Sequence, residues 1–292
     1  MSSSCVFDYP DADVILRAPL QPGSGEFKDF HVHKLILSIA STVFRDTFSI
    51  PQPPPRTSKD TSLDVVQTTE PADVVEIFLQ LIYPIDPPVI TDLQLLDDLL
   101  QLADKYVAGG VTTKLKKFLV SPAFLKDDPI GVFAIASRRN FGEEERLAIP
   151  HTFRIDLVQD IIPTQLRMMT LEAYHSLLME HSLRRQQIIE IVDAVFSDRR
   201  YRFCSHAEKL KKEIRLTISG SPFLDREKLE RCFPELLQSK ACVSPHWSCL
   251  ILPLETLAFL NEVMCRVQAT PAVTERGGMC SRGKNQLTPS FD

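Results

Sequence analysis

Two histidines separated by one residue, His31 and His33, are the first side chains in this sequence whose types and spacing could do chemistry. They lie in the stretch FHVHKLILSIAS, Phe30 to Ser41, where Lys34 follows directly. On a β-strand, residues i and i+2 share a face, so the two imidazoles could chelate a metal ion. Zinc needs two or more further ligands, and no Cys or His follows within thirty residues. Packing and hydrogen bonding therefore explain the pair more simply.

A second group with metal-ligand composition lies in the last quarter of the chain and comprises Cys232, Cys242, His246 and Cys249. The gap between His246 and Cys249 lets neighbouring ligands turn onto one ion. The chain has no paired Cys-x-x-Cys, and its seven cysteines are an odd number, which favours free thiols over a disulfide framework. Zinc binding at this group stays an open alternative to buried cysteines.

Motifs for enzymatic chemistry are missing from the sequence. There is no Gly-x-Ser-x-Gly elbow, no Walker phosphate loop and no His-Glu-x-x-His helix. The segment GVTTKLK, Gly110 to Lys116, contains Gly, Thr and Lys but not in the order that a phosphate cradle needs, so it is interpreted as the start of a helix. We therefore expect a protein that is not an enzyme and that carries no cofactor.

Composition narrows the class of partner. The chain has 292 residues, 44% of them hydrophobic, and a formal charge of −5, which suits a soluble globular protein of one or two domains. A mildly acidic balance argues against direct nucleic-acid binding and against anionic membranes, because both need a dense positive field. No apolar run approaches the roughly 20 residues of a membrane span, and MSSSC is not a signal peptide. We expect an intracellular location, cytoplasmic and/or nuclear.

The amino-terminal part of the chain alternates strand and helix patterns. DADVILRA and FKDFHVH alternate apolar and polar residues around a Pro/Gly turn and predict a β-hairpin. A short helix over His33 to Ala40, a Ser41 N-cap with a second helix that stops at Pro51, and a third strand at Leu63 to Val66 follow. Apolar stripes at helical spacing then predict further helices, and they comprise Val74, Ile77, Phe78, Leu81, Leu96, Leu99, Leu100, Ala103, Val111, Leu115 and Phe118.

The second half carries almost only helical patterns, with stripes near Tyr174 and Ile188 and further helices predicted at 206–218, 225–237 and 254–267. The basic doublet Arg184-Arg185 is interpreted as part of a solvated helix face. The predicted fold class is α+β, a small three-stranded sheet with helical hairpins, followed by an all-α extension. The expected boundaries are 11–122 for the first domain, 123–269 for the extension and 270–292 for a disordered tail.

The order of elements in the first part resembles a BTB/POZ domain. The matching motifs are Asp-x-Asp-Val at Asp11 to Val14, Phe-x-Val-His-Lys-x-x-Leu at Phe30 to Leu37, Ser-x-x-Phe-Arg-x-x-Phe at Ser41 to Phe48, and a Tyr that closes the third helix, Tyr83. Each motif alone is weak, but their combination is specific. The proline-rich segment at 51–60 and the phrase LIYPIDPPVITDL are similar to a large fungal, basidiomycete-like group of BTB proteins.

The resemblance implies self-association with a second copy or another BTB protein. In that family the His-Lys pair opens the helix that packs at the subunit contact, which assigns His33 and Lys34 to a dimer interface. Lys34 at a helix start opposes the helix dipole unless a carboxylate neutralises it, and the family's matching acid is Asp13. The candidate apolar neighbours in this interface are Leu35, Ile39 and Phe44.

The resemblance also implies a scaffold that recruits partners, as a substrate adaptor of a cullin-type ubiquitin ligase. The candidate cullin-facing residues are Tyr83, Ile85 and Asp86, and the segment Pro129 to Phe153 resembles the helical pair that follows such domains. Many cullin-binding members carry an apolar-x-Glu signature that is absent from YPIDPPVITD, where Asp86 is the nearest substitute. The alternative is a transcription-associated regulator that recruits corepressors without contacting DNA, since no zinc-finger pattern occurs.

Overall fold

A computed structural model describes residues 6–21, 23, 25–50, 63–159, 167–197, 206–231 and 253–270. By internal contacts the chain divides into two compact units, Met1–Val132 and Phe133–Asp292. The first unit extends past residue 122, so the domain boundary predicted there stays a prediction. No helix in the described ranges is both long enough and apolar enough to cross a bilayer.

The first unit contains a three-stranded sheet, as the sequence pattern predicted, and its strands run in mixed directions. Its strands are β1 (Val14–Pro19), β2 (Phe27–Val32) and β3 (Asp64–Gln67), in the spatial order β2-β1-β3. β1 is antiparallel to β2 and parallel to β3. Alternate side chains of β1 and β2 are buried because successive residues of a strand point to opposite faces of a sheet.

The helices of the first unit are α1 (Lys34–Ala40), α2 (Thr42–Ser49), α3 (Ala72–Ile82), α4 (Leu93–Lys105), α5 (Gly109–Leu119) and α6 (Pro122–Asp127), and the sequence range of α7 (Pro129–Arg138) includes the boundary between the two units. Helix α3 packs against β1, and α1, α4 and α5 pack against α3. The predicted Ser41 cap is confirmed, since its hydroxyl accepts from the Phe44 backbone N–H at 3.1 Å. The same hydroxyl donates to the Tyr106 carbonyl at 2.5 Å, so one buried side chain starts α2 and ties it to the end of α4.

The second unit consists of helices in its described part. They are α8 (Gly142–Thr152), α9 (Leu171–Phe196), α10 (His206–Thr217), α11 (Arg226–Arg231) and α12 (Pro253–Ala269). The stripes near Tyr174 and Ile188 belong to one helix, α9. A buried apolar cluster joins α9 to the helices after it, and it comprises Ile188, Val192, Val195, Phe196, Ile214, Ile218, Leu224, Leu229, Val263 and Val267. The predicted tail lies outside the described residues apart from Thr270.

The basic doublet Arg184-Arg185 does not form a solvated face, and that interpretation is wrong. Arg184 donates from its two terminal nitrogens to the carbonyls of Val267, at 2.9 Å, and Thr270, at 3.1 Å. Arg185 donates to the carbonyl of Ile218 at 3.2 Å. The last carbonyls of a helix have no partner within it and carry the negative end of the helix dipole. The two guanidinium groups on α9 therefore cap the ends of α12 and α10.

A buried histidine, His181 on α9, also joins α9 to α8. The Thr152 hydroxyl donates to the Ile149 carbonyl at 2.6 Å and lies 3.0 Å from Nε2 of His181. Because a hydroxyl has one proton to give, Nε2 of His181 is the donor in the second bond. Burial, and then the nearby positive charge of Arg185, lower the pKa of His181 to about 4, which the negative charge of Asp156 only partly opposes. His181 is therefore neutral near pH 7.

Replacing Arg184 by Ala should destabilise the second unit. Removing a charged donor from two helix-end carbonyls should lower the free energy of unfolding by about 1.5–3 kcal/mol. Urea unfolding followed by circular dichroism measures this change. The matched control is Arg231→Ala, because Arg231 makes an exposed pair with Glu227 one turn away and its loss should cost below about 0.5 kcal/mol. Equal losses in the two variants would contradict the capping role.

The stability of the second unit should also depend on pH through His181. The pKa of this side chain is about 4 in the folded chain and 6.5 when exposed, so the unfolded chain takes up the proton first as the pH falls. Stability should be complete above about pH 7 and should fall by roughly 3 kcal/mol between about pH 6.5 and pH 4. His181→Gln should flatten this part of the urea-unfolding profile, and an unchanged slope would contradict the assignment.

Candidate functional site

Helix α1 presents two large apolar side chains to solvent. Leu35 is 70% exposed and Ile39 is 79% exposed, whereas Leu37 on the opposite side of the helix is fully buried. Leu35 and Ile39 are four residues apart and therefore lie one above the other on one face of the helix. We call the pair Leu35 and Ile39 the α1 face. Large apolar side chains that are adjacent and exposed are typical of a surface that a partner covers.

The amino terminus of α1 is held by two side chains from elsewhere in the first unit. His33, at the N-cap position, makes no side-chain cap. Its backbone N–H instead donates to the Tyr83 hydroxyl at 2.8 Å, and the Lys34 backbone N–H donates to Oδ1 of Asp13 at 2.7 Å. The first N–H groups of a helix have no partner within it, so these bonds fix where α1 begins and which way it faces.

The Lys34 ammonium has a different partner from the one that the sequence predicted. Its Nζ lies 2.5 Å from Oδ2 of Asp64, at the start of β3, and 5.9 Å from the ring centre of Phe48. Asp13 binds the backbone of Lys34 and not its side chain, so the predicted ion pair between Asp13 and the Lys34 ammonium is wrong. A carboxylate does lie beside the Lys34 ammonium, but β3 supplies it.

An aromatic cluster supports this helix start. Phe7 is fully buried and lies edge-on to Phe30 and Tyr83, with ring centres 6.3 and 5.3 Å away. The Tyr9 ring stacks on the Tyr83 ring at 5.6 Å and lies 5.1 Å from the ring of His33. Burial raises the pKa of the Tyr83 hydroxyl to about 12, which keeps it protonated. The sequence reasoning missed Phe7 and Tyr9, although the phrase FDY before the first strand was the available signal.

The two histidines of the opening motif lie beside acids from the same amino-terminal segment. Nδ1 of His31 is 3.1 Å from a carboxylate oxygen of Asp8, and Nε2 of His33 is 3.3 Å from one of Asp11. In the parts of the chain that the structure describes, no three His, Cys, Asp or Glu side chains are placed to hold a metal ion. The group Cys232, Cys242, His246 and Cys249 lies outside the described residues.

Two of the predicted site residues are buried and cannot be exposed contacts. Phe44 is 2% exposed and stacks on Tyr106 with ring centres 4.5 Å apart. Tyr83 is buried in the aromatic cluster, where its hydroxyl binds His33. Both side chains are aromatic and point towards the interior, so they pack in the core. We therefore remove Phe44 from the expected dimer contact and Tyr83 from the expected cullin-facing surface.

The loop between α3 and α4 also exposes apolar side chains of the first unit. Ile85 is 37% exposed, Val89 is 85% exposed, and the Asp86 carboxylate between them also lies in solvent. The structure thus separates the predicted site residues. Leu35 and Ile39 form the α1 face, Asp13, His33 and Lys34 lie at the start of that helix, Phe44 and Tyr83 are buried, and Ile85 and Asp86 lie in this loop. We call Ile85, Asp86 and Val89 the α3–α4 loop surface.

Comparison with known proteins identifies the first unit. The family model described as BTB/POZ domain matches residues 21–122, from the β1–β2 turn to the start of α6. No curated protein matches the chain. The match is to the domain family as a whole, so membership of the fungal group stays a prediction. The chain therefore contains a BTB/POZ domain, a protein–protein interaction module built from a small three-stranded sheet and surrounding helices.

Proposed function

We propose that the chain is a non-enzymatic scaffold that associates with a second copy of itself through the α1 face. The observation that carries the proposal is the exposure of Leu35 and Ile39 on a helix whose orientation is fixed by its own subunit. BTB domains are modules for self-association and for binding other proteins, so an exposed apolar helix face in this domain is where we expect such a contact.

The physical driving force would be removal of this apolar face from water. Burying a Leu or Ile side chain contributes about 1.5–3 kcal/mol, and a two-fold contact buries both residues twice. The Lys34–Asp64 ion pair lies next to the face and would form part of a polar rim. A heteromeric contact with another BTB protein would use the same surface, and mixing the chain with such a protein distinguishes the two cases.

Charges placed on the α1 face should weaken association through this face. Leu35→Asp and Ile39→Asp should each weaken the α1-face contact at least tenfold, since a carboxylate would have to be desolvated there. Light scattering after size exclusion on the full chain, at tens of micromolar, measures the mass. The matched control is Val89→Asp, which places the same charge on an exposed apolar residue of the α3–α4 loop surface. A monomeric wild type would contradict the proposal.

A second candidate role is that of a cullin-type ubiquitin ligase adaptor, and the α3–α4 loop surface supports it. Ile85 and Val89 expose apolar area, and Asp86 is the acid nearest to the position of the family's glutamate. The role of a transcription-associated regulator stays a prediction, because the contacts of the described residues favour no particular corepressor.

Cullin binding should depend on the loop and not on the α1 face. In a pull-down with a purified cullin amino-terminal domain, Ile85→Asp and Val89→Asp should reduce the captured chain at least tenfold, because each buries a charge at the contact. Leu35→Asp is the reciprocal control and should bind as the wild type does. Failure of the wild type to bind would remove this candidate and leave the scaffold proposal unaffected.

A further inference from the structure

The two outer edges of the three-stranded sheet differ in whether another segment pairs with them. At β2, the His31 backbone N–H donates to the Phe7 carbonyl at 2.9 Å, and Asp8 and His31 form a parallel bridge. The amino-terminal segment of the same chain therefore covers part of this edge. At β3, no strand among the described residues pairs with the outer edge. An uncovered strand edge presents backbone donors and acceptors that another chain can use.

The hydrogen bonds of β3 show which of its residues face outwards. Thr68 donates from its backbone N–H to the Arg17 carbonyl at 2.9 Å, and Arg17 is the register partner of Gln67. In a parallel pair, bonds to the neighbouring strand come from alternate residues, so Val66 and Thr68 face β1. The backbone groups of Val65 and Gln67 therefore face outwards. Both residues are exposed, Val65 to 48%.

We propose that β3 pairs in an antiparallel manner with β3 of a second copy, with Val66 on the two-fold axis. In this register Val65 lies opposite the second copy's Gln67, and Gln67 lies opposite the second copy's Val65. Each of these two pairs exchanges two backbone hydrogen bonds. In an antiparallel ladder such hydrogen-bonded pairs alternate with non-hydrogen-bonded pairs, and Val66 opposite the second copy's Val66 is one of the latter. All the outward-facing backbone groups of Val65 and Gln67 are then satisfied.

The same register is the reason why we propose a second copy, and not another protein, as the partner of the β3 edge. Val66 is only half-buried in one subunit, and the two-fold axis places it against the second copy's Val66 in a non-bonded pair, where side chains approach most closely. Asp64 lies opposite the second copy's Thr68, so no like charges face each other. A parallel in-register pairing would stack Asp64 on Asp64, which is unfavourable. β3 is thus complementary to itself in the antiparallel arrangement.

This contact is centred on Val66 and does not involve Leu35 or Ile39, and the Lys34–Asp64 ion pair lies where the two surfaces meet. Each contact alone would be two-fold and would produce a dimer. If a chain uses both contacts, copies link alternately through α1 faces and β3 edges, and assemblies larger than a dimer form. The β3 contact is therefore tested in a chain whose α1 face carries Leu35→Asp, so that the two proposals succeed or fail separately.

Proline at position 65 should block the β3 contact while leaving the sheet of each subunit intact. The Val65 N–H makes no bond to β1, and proline is tolerated at edge-strand positions whose N–H faces solvent. By sedimentation equilibrium, the full chain with Leu35→Asp should still associate, and adding Val65→Pro should weaken that association at least tenfold. A Leu35→Asp chain that stays monomeric at concentrations on the order of 0.1 mM would overturn the proposal.

Cysteine cross-linking provides a test that does not require the proline variant to fold. Val66→Cys places two thiols across the two-fold axis, where a disulfide can form, whereas Val65→Cys lies opposite Gln67 and not opposite itself. Under mild oxidation Val66→Cys should form the cross-linked dimer at least tenfold faster than Val65→Cys. Peptide mass spectrometry identifies the linkage at position 66. The wild type measures the background from the native cysteines. Equal rates for the two variants would overturn the proposed register.

Discussion

The arrangement of the BTB unit depends on how two backbone N–H groups at the start of α1 are satisfied. The seven-residue helix has no side-chain cap of its own at His33, and a helix this short is not stable in isolation. The Tyr83 hydroxyl and the Asp13 carboxylate supply the missing acceptors. Because both acceptors are anchored in the same subunit, they determine that Leu37 points into the core and that Leu35 and Ile39 point to solvent.

The amino-terminal segment before the first strand also supports the start of α1. Phe7 fills the space between Phe30 and Tyr83, and Tyr9 stacks on the tyrosine whose hydroxyl holds α1. The histidines that open the motif serve this packing: His33 contacts both tyrosines, and His31 uses its backbone to hold the segment on the edge of β2. Two histidines whose spacing suggests metal binding therefore connect the edge of β2 to the start of α1.

In the second unit, charged and polar side chains likewise bind backbone and side-chain groups at helix ends. Arg184 and Arg185 lie next to each other on α9 yet reach the ends of two different helices, where carbonyl groups lack partners. His181 is neutral and buried, and its ring completes a short hydrogen-bonded chain with Thr152 and the Ile149 carbonyl. The apolar cluster around Ile188 and Val192 supplies burial, while these polar bonds determine how the helix ends meet α9.

The sequence by itself determined the elements and their inner faces. Alternation placed the strands, the apolar stripes placed the long helices, and Ser41 marked the start of α2, because these signals act between residues close in the chain. Only the tertiary structure decided the partners of polar side chains: Asp64 for Lys34, helix ends for Arg184, and the core for Phe44 and Tyr83. Each of these choices depends on which distant residue lies within about 3–4 Å, and local periodicity contains no information on that distance.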